Sequence, residues 1–315
     1  MKNLTNLSYS IYIRTLGKGG EKYHRLLQSI DQQTIKPQEV VVVLPVGYNP
    51  PQEKLGYERF EYSEKGMVKQ RIYSINKAET PYILLLDDDV DFEPKYVEKI
   101  FKTMIKAKAK CCIPIMHDDS LRPSLLRRII ESFIGICSYK NTYDDFYIKI
   151  NRCGGLILNN ELKEDIQYYS QSGHGSNCFA ETHALKNIHF EDELWLEESG
   201  YALPDDQVMF YKIYKSGYKI AVCKDAYFRH LNAASTNDGK RYIKMVKAKA
   251  GNYLIFWYKF IYNGTTGYNK LLSVLSICHR LFWEGAVCIA KYHNLKVCKS
   301  LYSGLKYGLK YIKQH

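Results

Sequence analysis

Two apolar runs, Val40–Val43 and Ile83–Leu86, leave no alternate position polar. A strand with one face in water alternates. A strand apolar at every position is buried on both faces, as in parallel sheets covered by helices on each side. The segments between the runs have helical periodicity. Glu21–Gln33 places Leu26, Leu27 and Ile30 on one face and precedes Pro37, and Gly66–Lys77 is closed by Thr80-Pro81. With Ser8–Arg14 as the first strand and Tyr57–Ser63 as a short alternating one, the order predicts a parallel, doubly wound α/β sheet with right-handed crossovers. Ligands in such sheets bind beyond the carboxyl ends of the strands.

Further along, the pattern predicts a helix over Pro94–Ala109, a strand over Lys110–His117 and a hairpin in Ile148–Asn160. A Gly-rich segment, Ser172–Leu185, leads into a helix. A helix over Pro204–Ser216 and a strand over Tyr218–Cys223 follow, and Ala226–Asn232 closes this half. Residues 122–145 carry no clear pattern. Hydrophobic content of 46% supports a sizeable core, and the nine cysteines form no CxxC pair, so they read as reduced thiols. The N-terminus lacks the apolar stretch of a signal peptide. The longest apolar candidate, Leu271–Ala290, is broken by His279, Arg280 and Glu284, so no transmembrane helix is expected.

The net charge of +12 is concentrated at one end. Residues 240–315 hold fourteen Lys and Arg against a single acid, Glu284; that surplus of +13 leaves the first 239 residues at −1. This tail is aromatic and helix-forming. Its composition fits an anionic membrane surface, or a helical appendage packed on the domain, better than nucleic acid, for which it has no signature motif.

The Ile83–Leu86 run ends in Asp87-Asp88-Asp89. Three adjacent carboxylates on a rigid strand end repel one another unless a cation is present, and a hard divalent ion such as Mn2+ or Mg2+ is the natural partner. An EF-hand loop is excluded because Phe92 stands where it needs glycine. The phosphatase motif D-x-D-x-T/V is excluded by Asp91 at its fifth position.

The block Lys65–Pro94 resembles the helix–strand–DxD segment of the family 2 inverting glycosyltransferases, whose fold is GT-A: a Rossmann-like, mostly parallel sheet flanked by helices. Arg71, Ala78, Tyr82 and Asp87/Asp89 match that pattern, and the similarity runs weakly from Ser8 to about Asn232. The resemblance implies a GT-A domain over 1–237, with a nucleotide-binding half to about 118 and an acceptor half from about 119, followed by the helical tail 238–315. It implies a nucleotide-sugar donor, a UDP-sugar before others, with Arg14, Thr15, Arg71, Asp87 and Asp88 on the donor side. Asp89, Asp87 and His230 would hold the metal. Asp206 would be the base that deprotonates the acceptor hydroxyl, supported by Asp205. His174, Gly175 and Trp195 would face a glycan or lipid-linked acceptor. The implied setting is the cytoplasmic face of a cell membrane, in surface-polysaccharide or glycolipid assembly.

The chain departs from the family where an Asp usually reads the base after the second strand: Leu44 and Pro45 stand there instead. Two other classes are compatible with parts of the pattern. A sugar-nucleotide pyrophosphorylase would use a Gly-rich loop such as Gly17, Gly19 and Gly20, and a non-catalytic membrane-surface protein would keep the fold alone.

Overall fold

A computed structural model describes residues 7–115, 129, 132, 145–231, 239–292 and 295–315. The end of the strand expected over 110–117, most of the patternless stretch 122–145, Asn232 and both expected domain boundaries lie outside the described residues.

The strands are β1 (Tyr9–Arg14), β2 (Glu39–Pro45), β3 (Arg59–Ser63), β4 (Tyr82–Asp87), β5 (Val90–Phe92), β6 (Cys111–Pro114), β7 (Phe146–Ile150), β8 (Leu156–Leu158), β9 (Tyr169–Ser170), β10 (Asn177–Glu181), β11 (Ile220–Cys223) and β12 (Phe228–His230). The helices are α1 (Glu21–Asp31), α2 (Met67–Lys77), α3 (Tyr96–Lys106), α4 (Thr182–Lys186), α5 (Trp195–Glu198), α6 (Asp205–Lys215), α7 (Gly239–Phe256), α8 (Gly267–Tyr292) and α9 (Leu295–Gln314). A π-helical turn over Trp257–Tyr262 extends α7.

Ten strands form one sheet in the order β3-β2-β1-β4-β10-β6-β11-β9-β7-β8. The first four are parallel, as the apolar runs predict. Successive side chains of a strand point to opposite faces, and the two cores follow that rule. Val40 and Val42 pack with α1 and α3, while Val41 and Val43 pack with α2 and α6. The sheet is mostly parallel, as expected; β8 lies antiparallel to β7, β9 to β11, and β10 between β4 and β6. The β10 residues Asn177–Ala180 are all buried, so no alternation marked them as a strand.

The tail is built into the domain rather than hung from it. Leu254, Ile255, Phe256, Trp257 and Ile261 are buried in the same core as Phe210 and Tyr211 of α6. Helix α9 lies close along α7. A Cβ at Gly304 would stand 2.2 Å from the Lys247 carbonyl oxygen, so this approach tolerates no side chain.

Candidate active site

The site lies where β1 and β4 end. Their parallel register sets Arg14 directly beside Asp87, and the Arg14 guanidinium takes both Asp87 oxygens through Nε and Nη2. Beyond Asp87 the chain turns through Asp88 and Asp89 into β5, which pairs antiparallel with β12 in the register His230↔Val90. The Leu231 amide donates to the Asp89 carbonyl at 2.7 Å. This ladder brings His230 Nε2 to 3.0 Å from Asp89 Oδ1.

Asp87, Asp89 and His230 each offer a ligand atom within 4.8 Å of the others, all partly exposed. Two carboxylates and an imidazole suit a divalent cation that also takes phosphate oxygens. Asp88 turns the other way, accepting from Thr15 Oγ1 at 2.5 Å, and that hydroxyl in turn accepts the Gly17 amide.

The second half of the site is the N-terminal turn of α6, reached by a buried arginine. Helix α2 is anchored by Gln70, whose amide donates to the Thr15 and Val43 carbonyls at the ends of β1 and β2. The next residue, Arg71, donates to Asp205 Oδ2 at 2.8 Å, Asp206 Oδ1 at 3.1 Å and the Gly175 carbonyl at 3.0 Å. Arg14 Nη1 reaches Asp205 Oδ2 at 3.0 Å, so Arg14 joins the β4 carboxylate to the α6 pair that Arg71 holds. The Asp205 side chain is 3% exposed and that of Asp206 35%, so only Asp206 presents an oxygen to the cleft.

Gly175 sits against Asp206 because β10 pairs with β4. The Asp87 amide donates to the Ser176 carbonyl at 3.2 Å, setting the turn 174–176 beside the acids. A Cβ at position 175 would fall 1.6 Å from Asp206 Oδ1. His174, on the same turn, has its ring 5.1 Å from that of His230.

Electrostatics separate the carboxylates. Burial pushes Asp206 up, but Arg71, then Arg14 and His174, outweigh it and hold the carboxyl below the usual aspartate range. Burial likewise pushes Asp89 up, and the His230 hydrogen bond and charge overcome it to leave Asp89 low. The hydrogen bond to Asp89 raises His230 against the opposing effect of its burial. Asp88 is raised, by burial first and then by repulsion from Asp89 and Asp87, despite its bond to Thr15.

Several expected roles change. Arg71, expected on the donor side, is 2% exposed and spends its donors on Asp205, Asp206 and Gly175; it holds the acids. Gly175, expected to admit a sugar, makes room for the Asp206 carboxylate. Trp195, expected to face an acceptor, is 4% exposed; its Nε1 donates to Glu193, and its ring packs on Tyr311 and Lys259, so it is core. Leu44, at the base-reading position, is fully buried.

Sequence reasoning passed over Asn252 of α7. It is fully buried, and its Nδ2 lies 2.8 Å from the Leu203 carbonyl and 3.1 Å from Ser199 Oγ, with the Leu196 and Tyr201 carbonyls at 3.3 and 3.4 Å. A tail helix thus grips the loop that leads into Asp205. One asparagine in a helical pattern gives no sign of this.

No protein-family model matches the chain, and no curated protein matches it by sequence. In structure it is similar to TarS of S. aureus, with a TM-score of 0.54 and 11% identity over 96% of this chain and 49% of that one. It is also similar to GalNAc-T7 solved with UDP, GalNAc and Mn2+, with a TM-score of 0.53 and 13% identity over 99% of this chain and 58% of that one. The chain thus spans 49% and 58% of the solved proteins it matches, and at these identities the likeness is one of fold. That fold is GT-A: a large, mostly parallel central sheet flanked by helices, here carrying an Asp-Asp-His cluster at the end of its fourth strand.

Proposed function

We propose that this chain is an inverting glycosyltransferase of the family 2 type, moving a sugar from a nucleotide-sugar donor to a hydroxyl of a sugar or lipid-linked glycan. The observation that carries the reading is the arginine bridge: Arg14 contacts both Asp87 and Asp205, which ties the cation-type cluster and the acid pair to the two sides of one cleft.

Asp87, Asp89 and His230 would hold Mn2+ or Mg2+. When bound, such an ion neutralises the diphosphate and makes the nucleotide a better leaving group. Asp206, ionised and open to the cleft, accepts the acceptor's hydroxyl proton at its free oxygen as that hydroxyl attacks. Asp205 stays buried and fixes both arginines. Thr15 and Asp88 shape the donor side, and His174 lies where an acceptor would pass. UDP-sugars are the first donors to try, since GalNAc-T7 was solved with UDP.

Product analysis with a panel of nucleotide-sugars, Mn2+ and simple glycan acceptors tests the reading. Inversion of the anomeric centre, with transfer lowered about 10²–10⁴-fold in Asp206→Asn, is expected. Retention of configuration, undiminished transfer in the variant, or pyrophosphate release from a nucleoside triphosphate and a sugar phosphate would overturn it.

A further inference from the structure

Half of the large apolar side chains exposed among the described residues, eight of sixteen, lie on the last two helices. On α8, Leu271, Leu275 and Phe282 are 57%, 48% and 67% exposed. Their spacings of four and seven residues put them on one helix face, with Tyr268 and Trp283 beside them. On α9, Leu295, Tyr302 and Leu309 recur every seven residues. Lys299, Lys306 and Lys313 each follow one of them by four residues and share the exposed side.

The opposite sides of both helices are already packed. Ile277 belongs to the core, and Val297, Ser300, Gly304 and Gly308 are buried. Among the described residues, these outward faces are left uncovered. Exposed apolar side chains aligned on helix faces in this way mark a partner surface.

Charge chooses the partner. The tail's one acid, Glu284, is held by Arg280 at 3.0 Å, and α9 carries five lysines and no acid. A second copy would set one +13 tail against another. Nucleic acid would satisfy the lysines but leave Leu271, Phe282 and Leu309 unburied. An anionic bilayer satisfies both, and among the described residues no helix is long and apolar enough to cross it.

We infer that α8 and α9 form a docking surface for an anionic lipid bilayer. Leu271, Leu275, Phe282 and Trp283 enter the boundary between headgroups and acyl chains, and the α9 lysines lie over the lipid phosphates. The inference does not depend on the catalytic reading, and its test uses no turnover.

The full chain is floated with phosphatidylcholine vesicles, with and without about one third phosphatidylglycerol. Binding to the anionic vesicles, at least about tenfold tighter than to neutral ones and weakened by salt, is expected. Of the three tryptophans, Trp195 and Trp257 are 4% and 7% exposed, so Trp283 reports on the surface. Brominated acyl chains should quench it. The triple variants Leu271→Ser/Phe282→Ser/Trp283→Ser and Lys299→Gln/Lys306→Gln/Lys313→Gln alter exposed positions and should keep the wild-type circular dichroism, each losing affinity about tenfold or more. Absence of vesicle binding, unaltered binding in both variants, a concentration-dependent dimer abolished by the serine variant without vesicle binding, or binding to RNA alone would overturn the inference.

Discussion

Arg71 Nη1 stands 2.8 Å from Asp205 Oδ2, with both side chains at most 3% exposed. One residue comes from the helix after the third strand and the other begins the helix that presents Asp206, so this ion pair fixes the distance between the two halves of the site. A buried pair adds little net stability, but breaking it strands a charge. Arg71→Ala should lower unfolding free energy by about 3–5 kcal/mol in denaturant titrations. Arg71→Met combined with Asp205→Leu should recover much of that loss while transfer stays abolished. Equal loss in the single and double variants would show that the pair is not the source.

Gly175→Ala tests the packing of the exposed acid. With its Cβ 1.6 Å from Asp206 Oδ1, the carboxylate must leave its place beside Arg71. Stability should fall by about 1–3 kcal/mol, and transfer by about 10²-fold. The measurement is thermal melting alongside activity per folded molecule; wild-type activity would show that Asp206 tolerates displacement.

Asn252→Asp tests the hold of the tail on the acid-bearing loop. A carboxylate has no donor for the Leu203, Leu196 and Tyr201 carbonyls that surround Nδ2. The variant should be less stable at neutral pH by about 1–3 kcal/mol and regain stability on acidification, as the protonated carboxyl becomes a donor. Stability equal to wild type at neutral pH would contradict the hydrogen-bond assignment.

Glu193 ties the tail to the domain in a second place. It is 2% exposed and sits 2.9 Å from Lys212 and 2.8 Å from Lys259. Burial pushes its carboxyl up, but the two lysines outweigh this and hold it below the usual glutamate range. A depressed folded pKa contributes stability that is present above the unfolded value, about 4.3, and lost as pH falls through the folded one. The stability gap between wild type and Glu193→Gln should therefore be full at neutral pH and close only in acid. A gap independent of pH would contradict the pairing.

What could be read from sequence was what local periodicity encodes. The valine run, the apolar strand before Asp87 and the intervening helices define the parallel half of the sheet. Periodicity did not mark the antiparallel β10, because four successive residues are buried. The resemblance nominated Asp206 and His230, yet their settings depend on partners far away in sequence: Arg71 lies 135 residues from Asp206, and His230 reaches Asp89 through the β5–β12 ladder. Such contacts leave no spacing to read. Trp195 and Arg71 turn out buried, which the sequence could not show: residue type does not reveal whether a side chain faces a cleft or a core.

Nucleotide binding is the most direct test of the central claim that Asp87, Asp89 and His230 form a cation-dependent donor site. Calorimetric titration of the wild type with UDP and the other nucleoside diphosphates should give binding of at least one in the presence of Mn2+. That binding should weaken at least about tenfold on chelation, and to the same extent in Asp89→Ala. Equal affinity with and without Mn2+, in both wild type and variant, would contradict the claim.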